Sequence, residues 1–195
     1  MANLKHAIKQ GIVALKAKNI QPVMQTVGDE SLLKGKTALV VGGSGGIGKA
    51  VAKAFLKNGA NVVIAGTRRA KVDKVVLELG ENCAGVVVDL AEPETFSKVI
   101  DEAVAFYGPI DILVNSAGVH TEDVSMGGFL DFSVEEYDRI LDINLRGVYF
   151  MVQSVAKRMI SDKVSNGHIL IVSSSAGNEP AWSPYRVSKW GLKGI

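Results

Sequence analysis

Three polar side chains near the end of the sequence have the types and spacing that proton transfer requires. Tyr185 and Lys189 are four residues apart, so on a helix they would share one face, and Ser183 and Pro184 are suited to begin that helix. The pKa of a free tyrosine is about 10, and an adjacent ammonium lowers that pKa toward neutrality. Ser174 could hydrogen-bond a substrate oxygen as negative charge develops on it. Because Tyr-x3-Lys pairs also arise by chance on exposed helices, the meaning of this pair depends on the elements around it.

The elements that would position these side chains alternate between short apolar runs and longer segments of helical period. The apolar runs are typical of strands buried on both faces of a parallel sheet, and they span residues 37–42, 61–66, 84–90, 110–115 and 168–174. Helices are predicted near 46–58, 70–79, 92–107, 133–163 (broken or bent) and 184–195. Gly59 and Gly80 follow the first two helices, where a left-handed cap is favoured. The alternation predicts an α/β fold in which helices cover both faces of a parallel sheet.

The length and composition predict one globular domain preceded by an arm. A chain of 195 residues with 47% hydrophobic content can bury one sizeable core. Residues 37–195 carry the alternating pattern, whereas residues 1–36 do not. In that first segment one helical face is apolar, which predicts a short amphipathic helix packed on its own domain or on a neighbouring subunit. Binding of its basic face to an anionic membrane is the alternative, although the segment has no Trp or Phe anchor.

Charge, cysteine content and hydropathy argue against several classes of protein. The formal net charge is only +2, a field too weak to indicate nucleic-acid binding. The single cysteine, Cys83, cannot form an internal disulfide and is predicted to be inert, which favours the cytoplasm. The longest apolar run near the N-terminus is about five residues, too short for a signal peptide or a membrane span. His6, His120 and His168 are scattered, so no metal site is predicted, although His120 lies where it could line a pocket.

A run of glycines joins the first predicted strand to the first predicted helix. The sequence GGSGGIG occupies residues 42–48, and it fits both a G-x3-G-x-G spacing from Gly42 and a G-x-G-x2-G spacing from Gly43. Glycines at such a junction let the backbone approach a phosphate, while the helix N-terminus directs amide groups and a positive partial charge toward it. The placement between strand and helix therefore predicts a pyrophosphate cradle for a dinucleotide more firmly than either spacing does.

The residues after the second and third strands indicate which dinucleotide is bound. An Asp or Glu at the end of the second strand would bind the ribose hydroxyls of NAD, but Gly66 stands there, followed by Thr67, Arg68 and Arg69. Guanidinium groups can form paired hydrogen bonds with a 2′-phosphate, so NADP is favoured over NAD. Asp89, which ends the third strand, points to the same edge of the sheet. It is a candidate for binding the adenine amino group or, alternatively, for capping the next helix.

Four motifs in this order resemble those of the short-chain dehydrogenase/reductase family, over about residues 34–195. In chain order they are the glycine loop GGSGGIG, the sequence NSAG at 115–118, Asn144 in DINLRGV, and the paired catalytic segments SSSAG and Tyr185-x3-Lys189. The glycine spacing from Gly42 and the short chain favour the compact, single-domain branch of that family. The resemblance implies a Rossmann-type, doubly wound parallel sheet in the order 3-2-1-4-5, lacking the final two strands of the family.

The resemblance also implies a reaction and a role for each site residue. Hydride would pass between C4 of the nicotinamide and the carbon of a small carbonyl or alcohol substrate. Tyr185 would donate or accept the proton, Lys189 would lower its pKa and bind the nicotinamide ribose, and Ser174 would orient the carbonyl. Asn144 would interrupt a helix and hold a water in the proton relay. The predicted cofactor-binding residues are Gly42, Ser44, Gly46, Ile47, Gly48, Arg68, Arg69, Asp89, Leu90, Asn115, Ala117, Gly118, Tyr185 and Lys189.

The sequence departs from the family pattern beside the NSAG signature. Val41 stands where relatives often have threonine, and Ser116 replaces the second asparagine of the signature. We therefore expect one or two hydrogen bonds around Asn115 to be lost or remade. Asn115 itself is expected either to lie beside the cofactor or to tie neighbouring strands together.

A second departure concerns the catalytic serine. Only 11 positions separate Ser174 from Tyr185, fewer than is usual in the family. Ser173 and Ser175 therefore remain alternatives for the residue that contacts the substrate oxygen.

The sequence ends within the helix that carries Lys189, whereas relatives continue through two further strands, a substrate lid and much of the subunit interface. We therefore expect an open sheet edge and a half-walled pocket. Relatives are commonly dimers or tetramers, which implies a homo-oligomer. The alternative to an enzyme is a dinucleotide-binding module that senses or scaffolds without turnover.

Overall fold

Five parallel strands form one sheet in the computed structural model, which describes residues 32–120, 130–178 and 183–195. In chain order they are β1 (Thr37–Val41), β2 (Asn61–Gly66), β3 (Cys83–Val87), β4 (Ile112–Asn115) and β5 (His168–Ile171). All five predicted strands are present. The observed strands are mostly shorter than predicted, because the apolar runs continue beyond the points at which the ladders of hydrogen bonds end.

The strand order is β3-β2-β1-β4-β5 with every pair parallel, which confirms the predicted Rossmann-type arrangement. From β1 the chain moves to one side of the sheet for β2 and β3, and then returns to the other side for β4 and β5. The carboxyl ends of β1 and β4 therefore lie where successive connections diverge. In open α/β sheets this is the position of the ligand crevice.

Helices cover both faces of the sheet. In chain order they are α1 (Gly46–Lys57), α2 (Arg69–Leu79), α3 (Phe96–Tyr107), α4 (Val134–Leu141), α5 (Val148–Ser161) and α6 (Pro184–Gly191). Residues of α1 and α2 pack with Val40 and Ile64 on one face. Residues of α3 and α5 pack with Leu39 and Val63 on the other. A short 3₁₀ turn precedes α3, so the helix predicted near 92–107 begins later than expected.

The long helix predicted near 133–163 is interrupted, as expected. A six-residue π-helical segment, Asp142–Gly147, joins α4 to α5. Gly147 touches the chain that follows β3, where a Cβ would lie only 2.1 Å from the main-chain oxygen of Leu90. The segment also buries the side chain of Asn144 completely. The interruption therefore packs this part of the chain against the carboxyl edge of the sheet.

β5 contradicts the prediction that every strand is buried on both faces. His168, Ile169 and Leu170 are exposed, whereas all of β1 is buried. Among the described residues β5 pairs with β4 and forms one edge of the sheet. Apolar composition identifies the strand, but burial depends on neighbours that the local pattern does not report.

The arm predicted over residues 1–36 lies mostly outside the described residues, which begin at Leu32. Leu33 packs beside α1, and its main-chain N donates to the oxygen of Asn58 at 2.9 Å. None of the helices in the described ranges has the length and hydropathy of a bilayer span.

Candidate active site

The glycine loop at the carboxyl end of β1 is held in shape by its own main chain. Gly42 N donates to the oxygen of Ala65 at 2.9 Å, and Gly45 N donates to the oxygen of Gly42 at 2.9 Å. Gly42 has a φ of +79°, and a Cβ on it would lie 2.6 Å from the nitrogen of Ala117. A Cβ on Gly48 would lie 2.3 Å from the oxygen of Gly42. No side chain fits at these two positions while the loop packs against the segment after β4.

The first turn of α1 is arranged to receive an anion. Gly45 is the N-cap and makes no side-chain capping bond, and the first turn contains no acidic residue. A Cβ on Gly46 would meet no atom within 4 Å, so open space lies beside the turn. Amide groups and the dipole of this 12-residue helix favour a pyrophosphate there. The loop thus fits a dinucleotide. Ile47, a predicted cofactor-binding residue in the same turn, is 60% exposed.

A cleft of about 380 Å³ runs from this loop along the carboxyl edge of the sheet. Its lining combines the loop, the ends of β2 and β3 and the segment after β4. Six predicted cofactor-binding residues line it: Gly42, Ser44, Asp89, Leu90, Ala117 and Gly118. The other eight predicted residues lie outside the lining: Gly46, Ile47, Gly48, Arg68, Arg69, Asn115, Tyr185 and Lys189.

Lys71 is a cation that lines this cleft, and the sequence reasoning missed it. Arg69 instead forms an exposed ion pair with Asp73, one turn along α2, with Nε and Oδ1 3.0 Å apart. Arg68 is the N-cap of α2, and its side chain is exposed. The signal for Lys71 was its place in the first turn of the helix after β2, because side chains there lean back toward the helix N-terminus.

Asp89 lines the cleft, and its carboxylate forms a turn and not a helix cap. Oδ1 accepts a hydrogen bond from the nitrogen of Ala91 at 2.9 Å. The following 3₁₀ turn has Glu92 as its N-cap, with no side-chain capping bond. The helix-capping alternative for Asp89 is therefore not observed, and Asp89 stays a candidate for a polar contact with a bound ligand.

Asn115, the last residue of β4, is fully buried, and neither side-chain amide atom has a hydrogen-bond partner within the described residues. Its register partner on β1 is Val41, which offers no hydroxyl. Ser116 Oγ, in contrast, donates to the main-chain oxygen of Val41 at 2.9 Å. Around the signature, one strand-to-strand bond is therefore made by Ser116, while the Asn115 amide stays unpaired. The Asn115 side chain is buried and does not line the cleft.

Asn144, in the π segment, clamps the chain that follows β4. Its Oδ1 accepts from Val119 N at 2.7 Å, and its Nδ2 donates to the oxygen of Val119 at 2.8 Å. Nδ2 also donates to Ser188 Oγ on α6 at 3.2 Å. The Asn144 amide thus joins three elements beneath the site. The water-holding role that the resemblance implies stays a prediction.

Tyr185 and Lys189 lie on one helix, α6. Ser183 is its N-cap, with Oγ accepting from Arg186 N at 3.3 Å, and Pro184 is in the first turn. Lys189 Nζ lies 5.7 Å from the centroid of the Tyr185 ring. Lys189 is only 6% exposed, and this burial lowers the pKa of its ammonium.

Lys189 connects this pair to the cleft. Gly118 lines the cleft, and a Cβ placed on it would lie 3.4 Å from Lys189 Nζ. The same Nζ donates to the main-chain oxygen of Val172, just after β5, at 3.4 Å. The amine of Lys189 therefore lies beside the cleft at Gly118, although neither Lys189 nor Tyr185 is among the residues that line it.

The three serines after β5 are engaged in different ways. Ser173 Oγ donates to the main-chain oxygen of Lys189 at 3.0 Å, which ties this segment to α6. Ser174 Oγ accepts from Ala176 N at 3.2 Å, so its hydroxyl hydrogen remains available for a substrate oxygen. Ser175 begins a 3₁₀ turn, Ser175–Asn178. These bonds favour Ser174 over Ser173 as the substrate contact, and the assignment stays a prediction.

Cys83 is buried at the start of β3, and burial raises the pKa of its thiol to about 11. A thiol with that pKa is protonated and unreactive near neutrality. In the part of the chain that the structure describes, no group of three or more His, Cys, Asp or Glu residues could hold a metal ion.

Comparisons with known proteins match most of the chain. A family model described as short chain dehydrogenase matches residues 36–195. The oxidoreductase UcpA of Escherichia coli K12 is 36% identical over 84% of this chain and 62% of its own length. Dehydrogenase/reductase SDR family member 4 of Homo sapiens is 35% identical over 84% of this chain and 59% of its own length. The chain thus spans about three fifths of the length of these two relatives.

Proposed function

The chain belongs to the short-chain dehydrogenase family, and from that premise we propose that it is an oxidoreductase that transfers hydride between NADP(H) and a carbonyl or alcohol substrate. The observation that carries this proposal is the buried amine of Lys189, which lies 5.7 Å from the centroid of the Tyr185 ring and beside Gly118, a residue of the cleft that the glycine loop also lines. The glycine loop suits an anionic dinucleotide, and the Tyr185–Lys189 pair suits proton transfer. Reduction of a carbonyl requires both.

Different residues around the cleft would bind different parts of the cofactor. The amides of the first turn of α1 would receive the pyrophosphate, Asp89 would accept from the adenine amino group, and Lys189 would bind the nicotinamide ribose. When bound, the nicotinamide supplies or accepts the hydride. Gly118 keeps the cleft floor low beside Lys189, because a Cβ there would lie 3.1 Å from Asn144 Oδ1, closer than an ordinary contact.

A side chain of α6 would transfer the proton to or from the substrate. In the direction of reduction, the Tyr185 hydroxyl donates a proton to the oxygen of the substrate, and in oxidation the phenolate accepts it from the alcohol. Lys189 is the cation nearest to this exchange, with its Nζ 5.7 Å from the centroid of the Tyr185 ring, and would interact with the charge that develops there. Ser174 donates a hydrogen bond to the same substrate oxygen and so stabilises its developing charge. Asn144 would hold the water through which the proton is replaced.

NADP is proposed over NAD because of the charge near the end of β2. Gly66 occupies the position at which a carboxylate would bind the ribose hydroxyls of NAD. Lys71 lines the cleft nearby, and the Arg68 side chain is exposed at the N-terminus of α2. These cations attract a 2′-phosphate. Arg69 has the smaller role, since it is paired with Asp73.

Binding and turnover assays test the proposed reaction. We expect saturable binding of NADPH by fluorescence and turnover of at least one of benzaldehyde, acetophenone, cyclohexanone and their alcohols. Tyr185→Phe should bind NADPH normally and lose turnover by about 100-fold or more. Tyr149→Phe, at an exposed position on α5, is the matched control and should keep its activity. Failure to bind either nicotinamide cofactor would refute the proposal, and binding without turnover would support a sensor or scaffold instead.

A charge reversal tests the choice of cofactor. Lys71→Glu should weaken NADPH binding by about tenfold or more and leave NADH binding within about twofold, because only NADPH carries the 2′-phosphate. Lys74→Glu makes the same charge change at an exposed position of α2 and should have little effect. Equal affinity of the unmodified protein for NADPH and NADH, or equal effects of the two variants, would contradict the proposed NADP preference.

A further inference from the structure

The ring of His120 lies against the ring of Tyr185, although the two residues are far apart in the sequence. The ring centroids are 4.2 Å apart, and the ring planes are tilted by 37°. On the same phenol, Lys189 Nζ is 5.7 Å from the centroid. The phenol therefore has an aromatic neighbour as well as an amine. The proton-transfer chemistry described above uses the amine alone.

The main chain around His120 is fixed by side chains of neighbouring elements. Val119 is hydrogen-bonded at both its nitrogen and its oxygen to the Asn144 amide, at 2.7 and 2.8 Å. The oxygen of His120 accepts from Arg139 Nη2 on α4 at 3.1 Å. The Arg139 guanidinium is in turn paired with Glu136 at 2.8 Å. His120 is thus attached through its backbone to α4 and the π segment, while its imidazole reaches α6.

We infer that His120 is a positioning residue that holds the Tyr185 phenol in the orientation used for proton transfer, and this inference rests on the proposed function. Tyr185 is half-buried, and a tyrosine that is not enclosed populates several rotamers. An aromatic neighbour in a tilted contact favours one of them. The segment after β4 then serves the whole site. It places Ser116 against the glycine loop, Gly118 at Lys189 and His120 at Tyr185.

Two substitutions separate ring contact from other roles of the histidine. With the fastest carbonyl of the panel, we expect His120→Ala to lower kcat about three- to tenfold and to change the KM for NADPH by less than about twofold. His120→Phe keeps a planar ring and should retain at least about half of the kcat. His168→Ala is the matched control, because His168 is exposed at the opposite end of β5. A full kcat in His120→Ala, or a His120→Phe variant as slow as His120→Ala, would overturn the inference.

Proton NMR measures the same contact without turnover. The imidazole should shift the ring protons of Tyr185 upfield, and Tyr185→Phe identifies those signals. The shift should be lost in His120→Ala and persist in His120→Phe. Absence of the shift in the unmodified protein would refute the role of His120 even if the enzyme turns over. An intact shift without turnover of any substrate would instead refute the proposed function, and with it the catalytic use of the contact.

Discussion

Val41→Thr should stabilise the protein by pairing the buried amide of Asn115. The two residues are register partners on β1 and β4, so their side chains point to the same face of the sheet. They are 1% and 0% exposed, and neither amide atom of Asn115 has a partner in the described residues. Threonine has the shape of valine with a hydroxyl in place of one methyl. The substitution therefore adds a hydrogen-bonding group beside Asn115 with little change in volume.

The sign of the effect depends on whether the new hydrogen bond forms. A buried hydroxyl without a partner costs about 1–3 kcal/mol, whereas a buried hydrogen bond contributes about 0.5–1.5 kcal/mol net. Here the bond would also satisfy an amide that is already buried, so we expect a gain of about 1 kcal/mol. For a chain of this length, that gain raises Tm by about 2–4 °C.

Urea denaturation followed by circular dichroism measures this difference as a shift of the midpoint at constant m value. Val63→Thr is the matched control, because Val63 is fully buried on the same face but has Leu39 and Ala84 as register partners. It should lose about 1–3 kcal/mol. In an Asn115→Leu background, Val41→Thr should also be destabilising. A loss in Val41→Thr equal to that in Val63→Thr would show that the amide is out of reach and refute the reasoning.

Other parts of the structure can be tested in the same protein. Lys189→Met should abolish turnover yet raise Tm by about 2–4 °C at pH 7, because it removes a buried ammonium. Folding lowers the pKa of Lys189, so between that lowered pKa and about 10.4 the folded state binds fewer protons than the unfolded state. The difference in stability between Lys189→Met and the unmodified protein should therefore shrink as pH rises through this range. A constant difference would contradict the burial of the ammonium. Cys83, with its pKa raised to about 11, should react with a thiol reagent at pH 8 only as fast as the protein opens, and rapid labelling of the folded protein would contradict its burial. Thermal denaturation should show Gly42→Ala destabilised by more than about 1 kcal/mol, because its φ of +79° and its contact with Ala117 exclude a Cβ. Gly46→Ala should keep the Tm and weaken NADPH binding, and equal Tm values for the two glycine variants would count against the loop geometry.

The strands and the two packed faces were predictable because the hydrophobic period of the sequence is strong where the sheet is most buried, whereas the strand order was implied by the resemblance to the family. Every residue of β1 is buried, as its unbroken apolar run indicates. The same kind of run in β5 gives the strand correctly but not its exposure, because burial is set by what packs beside it. The bounds of the helix predicted near 92–107 were less certain for a local reason, since Pro93 begins a 3₁₀ turn before α3.

Within the site, contacts inside one element were predictable, and contacts between elements were not. Tyr185 and Lys189 are one helical turn apart, so their spacing alone places them together. The ion pair that engages Arg69 also joins residues four apart on α2, and the place of Lys71 in the first turn of α2 was the local signal that its side chain could reach the cleft. The contact of His120 with Tyr185 depends on long-range packing of the chain after β4, which no spacing rule contains.

The π segment between α4 and α5 limits how this protein can change in length. A π-helical turn is an α-helix that accommodates one additional residue, so deleting one residue from Asp142–Gly147 would allow an unbroken α-helix with better local hydrogen bonds. The same deletion would rotate α4 by about 100° relative to α5 and carry the buried Ile140 away from its packing. The helix that is more favourable locally is therefore the wrong one for the tertiary structure. Natural variation in this stretch should accordingly preserve the number of residues, together with the buried Asn144 and Gly147.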